Sequence, residues 1–142
     1  MRPGCARATL EVNPAITTAH ATRTAPARSA FETINDFEIH LSVLTVGELR
    51  RGIDRIRSKD TVQATALERW LHRLTREHAE RILPIDRRVS EQWGKLSASR
   101  SGSPVDVLMA ATAIAHELVL VTRNARDVAW TGVSCINPFD AG

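Results

Sequence analysis

Leu118-Val119-Leu120-Val121 sets four large aliphatic side chains in a row between Glu117 and Thr122. A strand sends successive side chains to opposite faces, so an unbroken aliphatic run must be covered on both. That is the pattern of a parallel strand in a sheet with helices on each side. The flanking sequence agrees. Pro104 to Glu117 reads as a helix, opened by a proline whose missing N–H is harmless at a first helical position and rich in alanine at 110, 111, 113 and 115. Val133-Ser134-Cys135-Ile136 reads as a last strand before Asn137-Pro138.

The same alternation begins at Glu38. His40 to Leu44 is a short β-prone run, and Thr45 opens a helix with Val46, Leu49, Ile53 and Ile56 on one face. Thr61 to Arg81 is a second helix with a stripe of Leu67, Leu71, Leu74 and a core-edge His78. Ile82-Leu83-Pro84-Ile85 is a short strand, placed by Pro84 where no backbone donor is needed. Asp86 caps a third helix whose inner face is Val89, Trp93 and Leu96, and Trp70 and Trp93 both fit core stripes. The order β-α-α-β-α-α-β-β predicts a three-layer α/β/α sandwich on a mostly parallel sheet. At 142 residues, 43% hydrophobic and 25% charged, the chain suits one domain with one core. No apolar run is long enough to cross a membrane. Cys5 and Cys135 are too few for a disulfide framework and lack metal-knuckle spacing, which points to a reducing, cytoplasmic compartment.

Residues 1–37 read differently. The first thirty carry eight alanines, five threonines and three prolines, with few large apolar side chains. Such a stretch buries too little surface to offset its ordering entropy, and a poorly ordered segment is expected, with 38–142 as the domain. A basic, acid-poor leader of this kind also looks like a transit peptide, but clear amphipathic periodicity is missing. Ala8-Thr9-Leu10-Glu11-Val12 is its only β-like run. The segment also explains the high pI of about 9.5. Arg2, Arg7, Arg23 and Arg28 stand there against Glu11 alone, so the remaining fifteen basic and fifteen acidic groups balance in 31–142. The body of the protein carries no net charge that would by itself predict a nucleic-acid binder.

Sites in open α/β sheets gather beyond the carboxyl ends of the strands. There the chain places Glu48, Asp86, and the run Thr122-Arg123-Asn124-Ala125-Arg126-Asp127, with Asp106 in the first turn of the alanine-rich helix. Carboxylates converging on one edge would repel unless a divalent cation joined them, and oxygen ligands suit Mg²⁺ or Mn²⁺. Such an ion activates water and stabilises charge on a phosphodiester oxygen. Each residue also has a purely structural explanation. Glu48 stands three after Thr45, as in a capping box; Asp106 complements a helix dipole; Asp86 is an N-cap; Asn124 and Asp127 fit a turn. Arg51 and Arg55 lie near the Glu48 face and could hold a phosphate backbone, or belong to a solvated helix face partly neutralised by Asp54 and Asp60. Spacing alone does not decide between these readings.

Three stretches, LSVLTVGELRRGIDRIR, RILPIDRRVSEQWGKLSA and PVDVLMAATAIAHELVLVTRNARDVAWTGVSCINPF, resemble the PIN-domain family, and within it the VapC/FitB-type toxins of bacterial toxin–antitoxin pairs. The resemblance covers about residues 38–139 and rests on T-x-x-E-L, D-x-x-x-A-A-T-A and T-R-N-x-x-D in order. It implies a Mg²⁺- or Mn²⁺-dependent ribonuclease acting on RNA, inhibited by a small antitoxin and commonly dimeric. By motif position it implies that Asp106, Glu48 and Asp127 hold the metal, with Asn124 sharing the final acidic/amide position and Thr122 beside the site. One feature of the family is missing. Its members open with an apolar strand ending in an aspartate, whereas no Asp precedes Asp36 here and Thr17–Phe37 fail to match. The expectation is a chain that begins one strand late, through a misassigned start, a local frameshift or a decayed copy. Ala8–Val12 could fill the vacant place, with Glu11 as a poor stand-in for the acid. The alternative function that follows is a truncated, catalytically impaired protein that only binds its antitoxin.

Overall fold

The computed structural model describes residues 8–10 and 39–137. Five short strands, β1 (Ala8–Leu10), β2 (Ile39–Ser42), β3 (Ile82–Leu83), β4 (Val119–Val121) and β5 (Cys135–Ile136), pair in the order β3-β2-β1-β4-β5. Every pair is parallel. Ala8 stands opposite Ile39 on one side and Val119 on the other, and Leu10 opposite Val121. The vacant central place is thus filled by Ala8–Leu10, which lies before the boundary drawn at residue 37 and pairs inside the sheet. Glu11 and the other residues of 1–37, including Thr17–Ala30, lie outside the described residues.

The chain moves outward from β1 through β2 to β3, then recrosses the sheet to β4 and on to β5. Right-handed crossovers put the helices of the two halves on opposite faces. The first half contributes α1 (Val43–Arg57) and α2 (Thr61–Glu77), joined by a three-residue turn and packed as a hairpin. Asp60 starts α2 by accepting the Gln63 N–H at 2.9 Å. Leu49, Ile53, Ala64 and Leu71 form the seam, flanked by Leu67, Trp70 and Leu74. The second half contributes α3 (Arg87–Ser99) and α4 (Pro104–Ala115), and then α5 (Ala125–Val128), a single turn. Asp86 is the expected N-cap, accepting the Val89 N–H at 3.0 Å. Pro104 opens α4, which is apolar nearly all round and accordingly buries Val107 and the run Met109–Ala113. Its end is a Schellman turn: Leu118 N–H reaches the Ala113 carbonyl at 2.8 Å and Glu117 N–H the Ile114 carbonyl at 3.2 Å. Glu117 takes the left-handed conformation there, φ 56°, and delivers the chain into β4. Leu118 and Leu120 then join Met109, Ala110, Ala113, Val128 and Val133 in the main core.

Three expectations need correction. The first helix starts at Val43, not Thr45: the Ser42 hydroxyl accepts the Leu44 N–H at 3.1 Å, which ends β2 two residues early. The capping box of Thr45 and Glu48 therefore does not exist. Thr45 is fully buried on the inner face with Leu49 and Ile53. Second, Trp93 is 38% exposed. α3 packs closely on the alanine-rich α4 and Val89 on α3 is fully buried, whereas the bulkier indole stays partly in solvent. Third, β3 stops at Leu83, so Pro84 follows the strand and is not within it; β3 is an edge strand, as a nearby proline requires.

Candidate functional site

The direction of chain travel reverses between β1 and β4. At such a reversal the connections leave the two strand ends on opposite faces, opening a crevice beyond their carboxyl ends. The residues that follow β2 and β4, together with the start of α4, supply the side chains of this edge.

Glu48 lies in the second turn of α1, one turn after the buried Thr45. Its carboxylate is mostly covered and meets the Arg51 guanidinium at 3.9 Å. Burial raises its pKa above the usual carboxylate value; Arg51 opposes the rise and the Asp106 charge adds to it. Asp106 sits in the first turn of α4. Its pKa is likewise raised, first by burial and then by the charge of Asp127, against a hydrogen bond from the Ser103 hydroxyl that favours the ionised form. Asp106 is therefore the electrical centre of the group: it feels Asp127, and Glu48 feels it. The loop after β4 is held by Thr122, almost fully buried, whose hydroxyl accepts the Asn124 N–H at 3.0 Å. The Asp127 N–H then bonds the Asn124 carbonyl at 2.9 Å, closing the turn that begins α5. Asn124 is the N-cap of that turn but makes no side-chain cap bond.

Arg51 is engaged with Glu48, while its guanidinium stays largely in solvent; Arg55 is exposed on the same helix. Asp86 is accounted for by capping alone. Two residues escaped the reading of the sequence. Ser103 steadies Asp106; a serine three before an acid at a helix start was the available signal. The Thr45 hydroxyl is buried with no hydrogen-bond partner, and only its place on the inner face of α1 shows this.

The donor set is carboxylate, amide and hydroxyl oxygen, which suits a hard divalent cation. Crowded, partly buried carboxylates with raised pKa values are what such an ion would relieve. Among the described residues, no three His, Cys, Asp or Glu side chains stand close enough together to cage an ion by themselves. Glu11, the carboxylate next after β1 in sequence, lies outside the described residues.

An all-parallel α/β domain with acids at its chain reversal is the architecture seen here, and sequence comparison names the class. A match to the PIN domain spans residues 15–129, and the chain belongs to the PIN-domain family. The match begins after β1 and takes in residues 17–37, which corrects the expectation that Thr17–Phe37 fail to match. The chain is similar to VapC ribonuclease Y4jK of Sinorhizobium fredii (strain NBRC 101917 / NGR234), with 31% identity over 109 residues, 72% of this chain and 76% of the relative. Its fold is similar to a chain of FitAcB from Neisseria gonorrhoeae, with a TM-score of 0.79 at 23% identity, covering 94% of this chain and 99% of that one. It is also similar to a chain of VapBC-1 from nontypeable Haemophilus influenzae, with a TM-score of 0.69 at 19% identity, covering 94% and 98%. Among the described residues no helix is long and apolar enough to cross a membrane.

Proposed function

We propose that this protein is a divalent-metal-dependent endoribonuclease toxin, neutralised by a small antitoxin and active as a homodimer in the cytoplasm. What supports the reading is membership of the PIN-domain family, together with the half-buried carboxylates of Glu48 and Asp106, each raised in pKa by burial and by the charge of a further acid. The likeness to a VapC ribonuclease supports the substrate class. Asp106, Glu48 and Asp127 would hold Mg²⁺ or Mn²⁺, with Asn124 beside them, in an arrangement tighter than the one they take in this structure. When bound, the ion supplies an activated water and charge stabilisation at a phosphodiester oxygen. The chain's own groups prepare that step. Ser103 offsets part of the rise that burial and Asp127 impose on the Asp106 pKa. Thr122 fixes the loop that presents Asn124 and Asp127. Arg51 opposes the rise in the Glu48 pKa and leaves its own charge exposed to an approaching phosphate.

RNA cleavage that requires Mg²⁺ and falls at least about a hundredfold in Asp106→Asn is the expected result, since replacing a ligand should cost no less than replacing its supports. Cleavage that persists in this variant, or proceeds fully in chelator, would refute the assignment. A second reading is kept for a specific reason: β1 ends in Leu10 and no Asp precedes Asp36. A protein short of one ligand would still bind an antitoxin but not turn over, because such groups act as a unit. Replacing Glu11 by Asp separates the two: cleavage appearing only in that variant identifies the present chain as impaired.

A further inference from the structure

The arginines of the α1–α2 hairpin fall into two sets. Those on α1 are largely engaged: Arg50 and Arg57 converge on Glu68, Arg57 also meets Asp54 at 3.4 Å, and Arg51 meets Glu48. Those on α2 are not. Arg69, Arg73 and Arg76 are exposed and, among the described residues, form no ion pair within 4.0 Å. Their spacing of four and three puts them on one face of the helix, with His72 beside them. With Ala66 these four line an open, shallow cleft. The row extends about 10 Å along the helix at roughly 1.5 Å per residue.

We propose that this face of α2 binds the phosphate backbone of the RNA; the inference rests on the ribonuclease reading above and adds the surface that holds the substrate. Three guanidinium forks with no carboxylate partner among the described residues, spaced along a straight element, suit a polyanion with repeated oxygens. A protein partner would want large apolar anchors. The row has none: the strongly exposed large apolar residue of α2, Val62, lies at the far end of the helix. Phosphate contacts of this kind position a nucleic acid without reading its sequence, so the face acts on affinity and not on choice of site.

The test uses full-length protein carrying Asp106→Asn, to keep the RNA intact, with and without Arg69→Gln, Arg73→Gln and Arg76→Gln together. Binding of a fluorescein-labelled single-stranded RNA is followed by anisotropy across a salt series. The triple change should weaken binding at least tenfold at low salt. It should also reduce the slope of log K against log salt by about 2, the release expected for three single-strand phosphates. The corresponding triple lysine variant should keep most of that slope, because the charge remains. Unchanged affinity and slope in the glutamine variant would overturn the inference alone, as would loss of antitoxin binding with RNA binding intact. A parent chain that neither binds nor cleaves RNA would instead overturn the reading on which it rests. All three arginines lie on an exposed surface, and an unchanged melting temperature confirms that the fold is not the cause.

Discussion

β1 and β4 lie side by side in the middle of the sheet, in register from Ala8–Val119 to Leu10–Val121, yet their sequences share almost nothing. β4 belongs to a run of four aliphatic residues and opens into a loop with Thr122, Asn124 and Asp127. β1 is Ala-Thr-Leu and is followed by a single acid, Glu11. A strand's place in a parallel sheet is set by backbone pairing on both sides, which any non-proline residue can make. Its chemical contribution depends on which side chain ends it. The two strands thus separate the architectural requirement, which β1 meets, from the chemical one, which rests on the side chains that follow a strand.

The largest effect should come from breaking the pairing itself. Thr9→Pro removes a backbone donor from a strand paired on both sides and should cost more than about 3 kcal/mol, lowering the melting temperature by roughly 10 °C. An unchanged melting curve would show that β1 is not held in the sheet in solution. Next is Leu120→Ala. Its side chain is fully buried in the main core, and the loss should be about 2–5 kcal/mol by denaturant titration; a loss under about 1 kcal/mol would mean that β4 is not the packed strand described. Glu11→Gln probes the chemistry alone. If the carboxylate after β1 serves the site, this change should raise the Mg²⁺ concentration for half-maximal cleavage about tenfold while leaving the melting temperature within a degree or two. Equal Mg²⁺ dependence would remove Glu11 from the ligand set.

The smallest effect is electrostatic. Glu48 and Asp106 have pKa values raised above the ordinary 4.5 and 3.8. The folded protein therefore keeps protons that the unfolded chain releases. The stability linked to these groups is fully present below the ordinary values and is lost as the pH rises through the raised ones. Without divalent ions, Asp106→Asn should melt slightly above the parent, by an interval that grows from acid toward neutral pH. Added Mg²⁺ should close it by stabilising the parent. An interval that is constant with pH would show that the repulsion is not felt.

The same contrast explains what the sequence alone makes legible. β4 is plain because burial on both faces demands a continuous aliphatic run, and α4 because its alanines permit close packing. Asp86 is identifiable as a cap because nothing else competes for it. The β2–α1 junction misleads for a physical reason. Val43 and Leu44 are as apolar as the strand before them, and the residue that stops the strand, Ser42, stands inside that run. β1 can be suggested only as one option, because Ala-Thr-Leu carries little preference of its own and is specified by its neighbours. The acids can be placed at element ends from sequence order. That Glu48 senses the charge of Asp106, and Asp106 that of Asp127, is a tertiary effect, and local spacing carries no trace of it.

The two outermost strands are only two residues long. Pro84 follows the first, and in sequence Pro138 stands two residues after the second. Neither margin offers a foreign chain more than a couple of free peptide groups on which to align, and an imino acid then interrupts any attempt to continue. Association by lengthening the sheet is thereby discouraged at both ends.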